Sequence, residues 1–184
     1  MPLFHITGLK STVKPRLEGQ VPIRMIFGRS SNRYKAFEQI MNRRGRNKDK
    51  GRSMEQGERQ IKYVLVVEDD KVSILYLEEL ISLMEIPGIE LKTEHVCSGE
   101  NAIEYCKNHP CDLILMDLKL PGMDGLETTR QIRKMKPFLP IIAQTAFALS
   151  GDEQKAMKAG CNDYIAKPIS ESELISKLKK YLTL

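Results

Sequence analysis

Aromatic residues are scarce. Trp is absent, and only five Phe and six Tyr occur among 184 residues. Long apolar runs are missing as well. No stretch approaches the roughly 20 apolar residues of a membrane span, which excludes a transmembrane helix. The start, Met1-Pro2-Leu3-Phe4-His5-Ile6, has no basic segment followed by an apolar run, so no secretory signal is expected. The four cysteines (Cys97, Cys106, Cys111 and Cys161) form no C-x-x-C pair and no Cys/His spacing of a zinc site. They are expected as reduced thiols in a reducing compartment, which points to the cytoplasm. No Gly-rich P-loop is present.

What is present is 41% hydrophobic and 29% charged residues, the make-up of a globular chain. The net charge of +5 conceals an asymmetry. Residues 1–60 hold 14 Lys+Arg against 5 Asp+Glu, a net +9, and residues 61–184 hold 15 against 19, a net −4. A uniform nucleic-acid binder does not fit that division. Residues 1–60 read as a basic, largely irregular N-terminal extension and linker. A short strand over 21–27 and one basic helix over 32–44, with Tyr34, Phe37, Ile40 and Met41 on one face, are its only candidate elements. Residues 45–60 have almost nothing to bury. The extension could bind nucleic acid through the Arg and Lys of residues 29–59. Only Tyr34 and Phe37 interleave those charges, so nucleic acid is not the expected partner.

Residues 61–184 have a different texture. Ile61 to Val67 is a compact β-branched run ending in acids, the mark of a buried parallel strand. A helix follows, with Val72, Leu75, Leu80, Ile81 and Met84 expected on its inner face. Residues 89–96 alternate weakly, as an edge strand does, and 99–108 read as a helix stopped by Pro110. Asp112 to Met116 is a buried strand ending at Asp117. Helices are expected over 125–136, 151–159 (capped by Gly160) and 171–183, the last with Leu174, Leu178, Tyr181 and Leu182 inward. Strands are expected over 140–144 and 163–166. Five strands alternating with five helices imply an α/β, doubly wound parallel sheet, and the length excludes an eight-stranded barrel.

In such a sheet ligands bind beyond the carboxyl ends of the strands, at the point where strand order reverses. With the order 2-1-3-4-5, the first strand brings Glu68-Asp69-Asp70 and the third brings Asp117 to that point. Carboxylates held so close repel unless protonated or neutralised, and oxygen-only ligands select a hard cation, Mg²⁺ first and Mn²⁺ next. Acids there could also simply begin the next helix, where Asp69 or Asp70 would suit an N-terminal cap. The fourth strand adds the Thr145 hydroxyl and the fifth the Lys167 ammonium. A cation and an ammonium together suit a phosphoryl group, whose charge spreads over three oxygens. A salt bridge between Lys167 and Asp117 is equally compatible.

These residues resemble the receiver domain of two-component response regulators. The matching pieces are Val66-Val67-Glu68-Asp69, Leu115 to Gly125, Pro140 to Ala146 and Tyr164-Ile165-Ala166-Lys167-Pro168. The style of Pro140 to Ala146 is similar to receivers of hybrid sensor histidine kinases. The resemblance covers residues 61–184 and implies the flavodoxin-like strand order. It implies that Asp117 is the phosphoacceptor, that Asp69 and Asp117 bind Mg²⁺ directly, that Glu68 does so through water, and that the Lys119 backbone carbonyl completes the protein's share. Thr145 and Lys167 would contact the phosphoryl group, and Thr145 and Tyr164 would form the switch. A cis Lys167–Pro168 bond is implied too, and Lys119 and Ala146 flank the site.

The expected function is that of a phosphoacceptor in a phosphorelay, not a classical enzyme. It would be charged by a sensor histidine kinase or a histidine phosphotransfer protein and read by an unknown downstream protein target. None of His5, His95 and His109 has the context of an acceptor helix, so no kinase core is expected. Nothing after the last helix suggests a DNA-binding domain. Two alternatives remain: a phosphorylation-controlled nucleic-acid-binding regulator that uses the basic N-terminal extension, and an enzyme turning the acidic cluster on an outside phosphoester.

Overall fold

The structure, a computed structural model, describes residues 59–146 and 151–183. The elements are β1 (Gln60–Val67), α1 (Lys71–Ser82), β2 (Ile89–Val96), α2 (Gly99–Asn108), β3 (Leu113–Asp117), α3 (Gly125–Met135), β4 (Ile141–Thr145), α4 (Asp152–Ala159), β5 (Asp163–Ala166) and α5 (Glu171–Leu182). The strands form one parallel sheet, as the βα alternation implies, in the order β2-β1-β3-β4-β5 expected from the resemblance. The strand expected over 21–27 and the basic helix over 32–44 lie outside the described residues. Among the described residues no helix is long and apolar enough to cross a membrane.

The alternation of side chains divides the core in two. On one face Val64, Val66, Leu113, Leu115, Ile142 and Ile165 meet α1 and α5. On the other, Leu65, Val67, Ile114, Met116, Ile141 and Ala143 meet α2, α3 and α4. β3 and β4 are buried along their whole length, whereas the edge strand β2 alternates.

Three of the five described helix starts are fixed by short polar side chains. Asp70 accepts from the Ser73 amide at 3.0 Å, Ser98 from Asn101 at 3.2 Å, and Asp124 from Glu127 at 2.7 Å. Gly160 closes α4 with φ +107, the left-handed conformation that suits glycine. One expectation fails in α1. Leu75 is 40% exposed, and the buried stripe is Ile74, Leu77, Leu80 and Ile81. The steps of three and four from Ile74 carry the apolar seam, which leaves Leu75 turned one residue toward solvent. Tyr181, also expected inward, is half-buried, with its hydroxyl on Asn162 O and on Asp163.

Two polar clusters hold β5. At its start, Asp163 receives Lys177 at 2.6 Å, Lys180 at 3.2 Å and the Tyr181 hydroxyl at 3.2 Å. Arg133 of α3 donates to Gly160 O at 2.7 Å and Leu139 O at 2.6 Å, and also to Asn162 Oδ1. Asn162 Oδ1 in turn accepts from the Ile141 amide at 2.9 Å. Burial alone would raise the Asp163 carboxyl, but the Lys177 and Lys180 ammoniums and the Tyr164 amide hold it below the usual carboxylate range. A depressed carboxyl contributes stability that is present above about pH 4 and lost as pH falls through its folded value. We therefore expect Asp163→Asn to lose about 1–2 kcal/mol at pH 7 in urea unfolding. The gap between variant and parent should close as the pH is taken below 4.

Candidate functional site

The carboxyl ends of β1, β3, β4 and β5 bring the expected residues to one rim. Glu68 follows β1 and is buried, Asp117 ends β3 at 6% exposure, and Thr145 ends β4, buried. Asp69 is exposed. Carboxylate oxygens of Glu68, Asp69 and Asp117 lie within 4.8 Å of one another. Asp70 stands apart from them as the α1 cap, with its amide on Glu68 Oε1 at 3.3 Å.

Lys167 reaches both buried acids. Its Nζ is 2.6 Å from Asp117 Oδ2 and 2.6 Å from Glu68 Oε2. The salt bridge read from the sequence is therefore present, and it has a second carboxylate. The Lys167 backbone is set by its amide on Thr145 O at 2.7 Å, and the Lys167–Pro168 bond is cis. Just beyond, Ile169 O accepts from the Tyr76 hydroxyl of α1 at 3.0 Å. Asp117 is oriented on its other oxygen by the Lys119 amide, at 2.9 Å. Gly125 lets α3 start close by, since a Cβ there would come within 2.1 Å of Asp117 O.

The electrostatics follow from burial and crowding. Burial pushes the Glu68 carboxyl up to about 7, the Lys167 ammonium opposes that rise, and the negative charge of Asp117 adds to it. Burial works against the Lys167 ammonium, yet its hydrogen bonds to Asp117 and Glu68 win and raise it. The three carboxylates offer hard oxygen donors only, and Asp69 keeps the cluster open to solvent, a donor set that suits Mg²⁺.

Tyr164 lies farther from the rim. It pairs with Ala143, one row below Thr145 but on the same face of the sheet, and is half-buried. Lys177 Nζ stands 5.6 Å from its ring centroid, and the hydrogen bond to the Glu153 carboxylate pushes the Tyr164 phenol above its ordinary pKa. Lys119 and Ala146 are exposed beside the rim. Sequence reasoning missed Gln144, which is fully buried next to Thr145. An amide closing the otherwise apolar run Ile141-Ile142-Ala143 was its signal.

Residues 64–179 match the model of the response regulator receiver domain. The chain belongs to that family. Receiver domains of this kind serve two-component signalling. The polar-differentiation response regulator DivK of Brucella ovis is 40% identical over 123 residues, 66% of this chain and 96% of DivK. Among solved structures, the receiver domain of sensor histidine kinase PA1611 from Pseudomonas aeruginosa PAO1 is 35% identical, with a TM-score of 0.59. The match covers 67% of this chain and 98% of that one, and that domain was crystallised with a magnesium ion coordinated in its active site cleft. The receiver domain of Ssk1 from Saccharomyces cerevisiae, solved with the histidine phosphotransfer protein Ypd1, is 28% identical, with a TM-score of 0.60. That match covers 68% of this chain and 91% of the other.

A raised carboxyl makes the folded receiver bind more protons than the unfolded chain between about pH 4.5 and 7, so this group's contribution to stability falls as pH rises through that window. Without divalent cations, Glu68→Gln should remove that decline and leave the variant about 2–3 kcal/mol more stable relative to the parent at pH 7 than at pH 4.5. Urea titrations in a chelator across the window check it.

Proposed function

We propose that this receiver accepts a phosphoryl group from a phosphohistidine onto Asp117, and signals through protein contacts. The observation that carries the reading is one ammonium, Lys167, lying 2.6 Å from both Asp117 and Glu68 within a cluster of three carboxylates. In the transfer an Asp117 oxygen bonds to phosphorus as the phosphorus–nitrogen bond of the donor breaks, and the imidazole nitrogen keeps the electron pair. Lys167 draws charge from the phosphoryl oxygens, Thr145 hydrogen-bonds one of them, and the Lys119 amide holds the Asp117 oxygen it already binds. Asp69 and Asp117, Glu68 through water, and the Lys119 carbonyl would hold Mg²⁺, with Mn²⁺ as the alternative. When bound, the divalent cation supplies positive charge to the same phosphoryl oxygens.

The donor is a sensor histidine kinase or a histidine phosphotransfer protein, and the Ssk1 receiver solved with Ypd1 supports that class of partner. Added charge at Thr145 and Lys167 acts on the segments leading to α4 and α5, with Thr145 and Tyr164 as the switch. α4 is suited to move: it buries only Ala156 and Ala159. The downstream target is a protein that reads this face. We assign the receiver to residues 61–184 and a basic extension to residues 1–60. The four free cysteines suit the reducing cytoplasm that this relay requires.

Acetyl phosphate with Mg²⁺ should label the full chain stoichiometrically, and Asp117→Asn should abolish the label. Intact-mass measurement decides, and a persistent stoichiometric label on Asp117→Asn overturns the assignment.

A further inference from the structure

Among the described residues, the buried side-chain polar atoms without a hydrogen-bond partner belong to a single residue: they are Oε1 and Nε2 of Gln144. Buried polar groups are nearly always paired, so an amide left wholly alone calls for a reason. Packing does not supply one. An apolar side chain of the same shape would fill the space without the penalty of two unmet hydrogen-bonding groups. The other residues of β4 before Thr145, Ile141, Ile142 and Ala143, are all apolar.

The register places this amide beside the reacting carboxylate. Gln144 pairs with Asp117 on one side and with Ile165 on the other. Paired residues of neighbouring parallel strands project to the same face, and Ile165 belongs to the core layer under α1 and α5. Gln144 therefore stands in the same cross-sheet row as Asp117. Lys167, two residues past Ile165, continues that face of β5. The Lys167 ammonium has three N–H donors, of which two are taken by Glu68 and Asp117, and the third has no protein acceptor among the described residues. A donor without an acceptor and an acceptor without a donor thus occur on one face of two adjacent strands.

We propose that Gln144 is a positioning residue. Its amide is unpaired in the unphosphorylated state and accepts a hydrogen bond from Lys167 once that ammonium shifts from the Asp117 carboxylate to a phosphoryl group. An unpaired amide penalises the resting packing, and pairing it relieves the penalty. Gln144 accordingly biases the receiver toward its phosphorylated form without touching the phosphoryl group. The inference rests on Asp117 being the acceptor.

The test uses the full chain, with beryllofluoride as the phosphoryl mimic in millimolar Mg²⁺, and compares the parent with Gln144→Met and Gln144→Leu. Thermal unfolding without beryllofluoride should give a midpoint about 3–6 °C higher in the variants, since the unpaired amide is gone. Beryllofluoride affinity, read by titration, should fall about fivefold or more, because a hydrogen bond made only in the bound state is lost. Both shifts are required. A raised midpoint with unchanged affinity makes Gln144 a packing defect common to both states. A lowered midpoint in both variants shows an amide already satisfied by internal water. Either result overturns the inference while leaving the phosphoacceptor reading intact. A parent chain that binds no beryllofluoride overturns the phosphoacceptor reading itself, and the inference with it.

Discussion

β4 and β3 stand between β5 and β1, yet a side chain that follows β5 lies 2.6 Å from a carboxylate that follows β1. Strands are spaced about 4.8 Å apart, so Lys167 must extend across the end of β4 to reach Asp117 and Glu68. Much of the local architecture serves that reach. The ladder bond from the Lys167 amide to Thr145 O fixes where the side chain departs. The Tyr76 hydroxyl holds Ile169 O, so the chain after Lys167 is tied back to α1. Gly125 allows α3 to begin against the Asp117 carbonyl, which a Cβ would prevent. Removing the ammonium would leave two buried carboxylates facing each other, the arrangement that proteins tolerate least.

The same arrangement leaves the rim under-neutralised. Three carboxylates meet one ammonium, and burial has already raised one of the acids to about 7. A site with that charge deficit, hard oxygen donors and one exposed acid suits a small divalent cation. In the proposed reaction such a cation, joining Lys167, would make the rim neutral enough for a phosphoryl group. Metal binding and phosphoryl binding would then be coupled through charge.

Much of this was legible in the sequence because it follows from local rules. Apolar runs ending in acids marked β1 and β3, strict alternation with short loops implied a parallel sheet, and the strand order followed from the resemblance to receiver domains. The rim residues were legible because strand ends converge at the reversal point. What escaped were properties of packing across elements. Leu75 reads as apolar and helical, but only the seam set by Ile74 and Leu77 decides which neighbour faces out. The second partner of Lys167 depends on side-chain length across three strands, which no spacing rule contains. The Arg133 cluster joins α3, the turn after α4 and the start of β4, segments far apart in sequence, through three of its acceptors: Gly160 O, Leu139 O and Asn162 Oδ1. An arginine in the last turn of an amphipathic helix looks like an ordinary solvated charge.

That cluster also ties down the amino ends of β4 and β5. At the amino ends of β4 and β5, Arg133 and Asn162 bind one another and the backbone of both flanking turns. The C-terminus of α4 is closed there by Gly160, against which Arg133 packs so tightly that a Cβ would lie 2.8 Å from its Cγ. The N-terminus of α4 has no side-chain cap, in contrast to α1, α2 and α3. With only two alanines buried, α4 is held by its far end and lightly along its length. The switch proposed at Thr145 would act on the less anchored end of the helix, while Arg133 ties the other end to the backbone. In that proposal a pivot of α4 about its Gly160 end would change the face beside the rim while the rim residue carried by β5 kept its register.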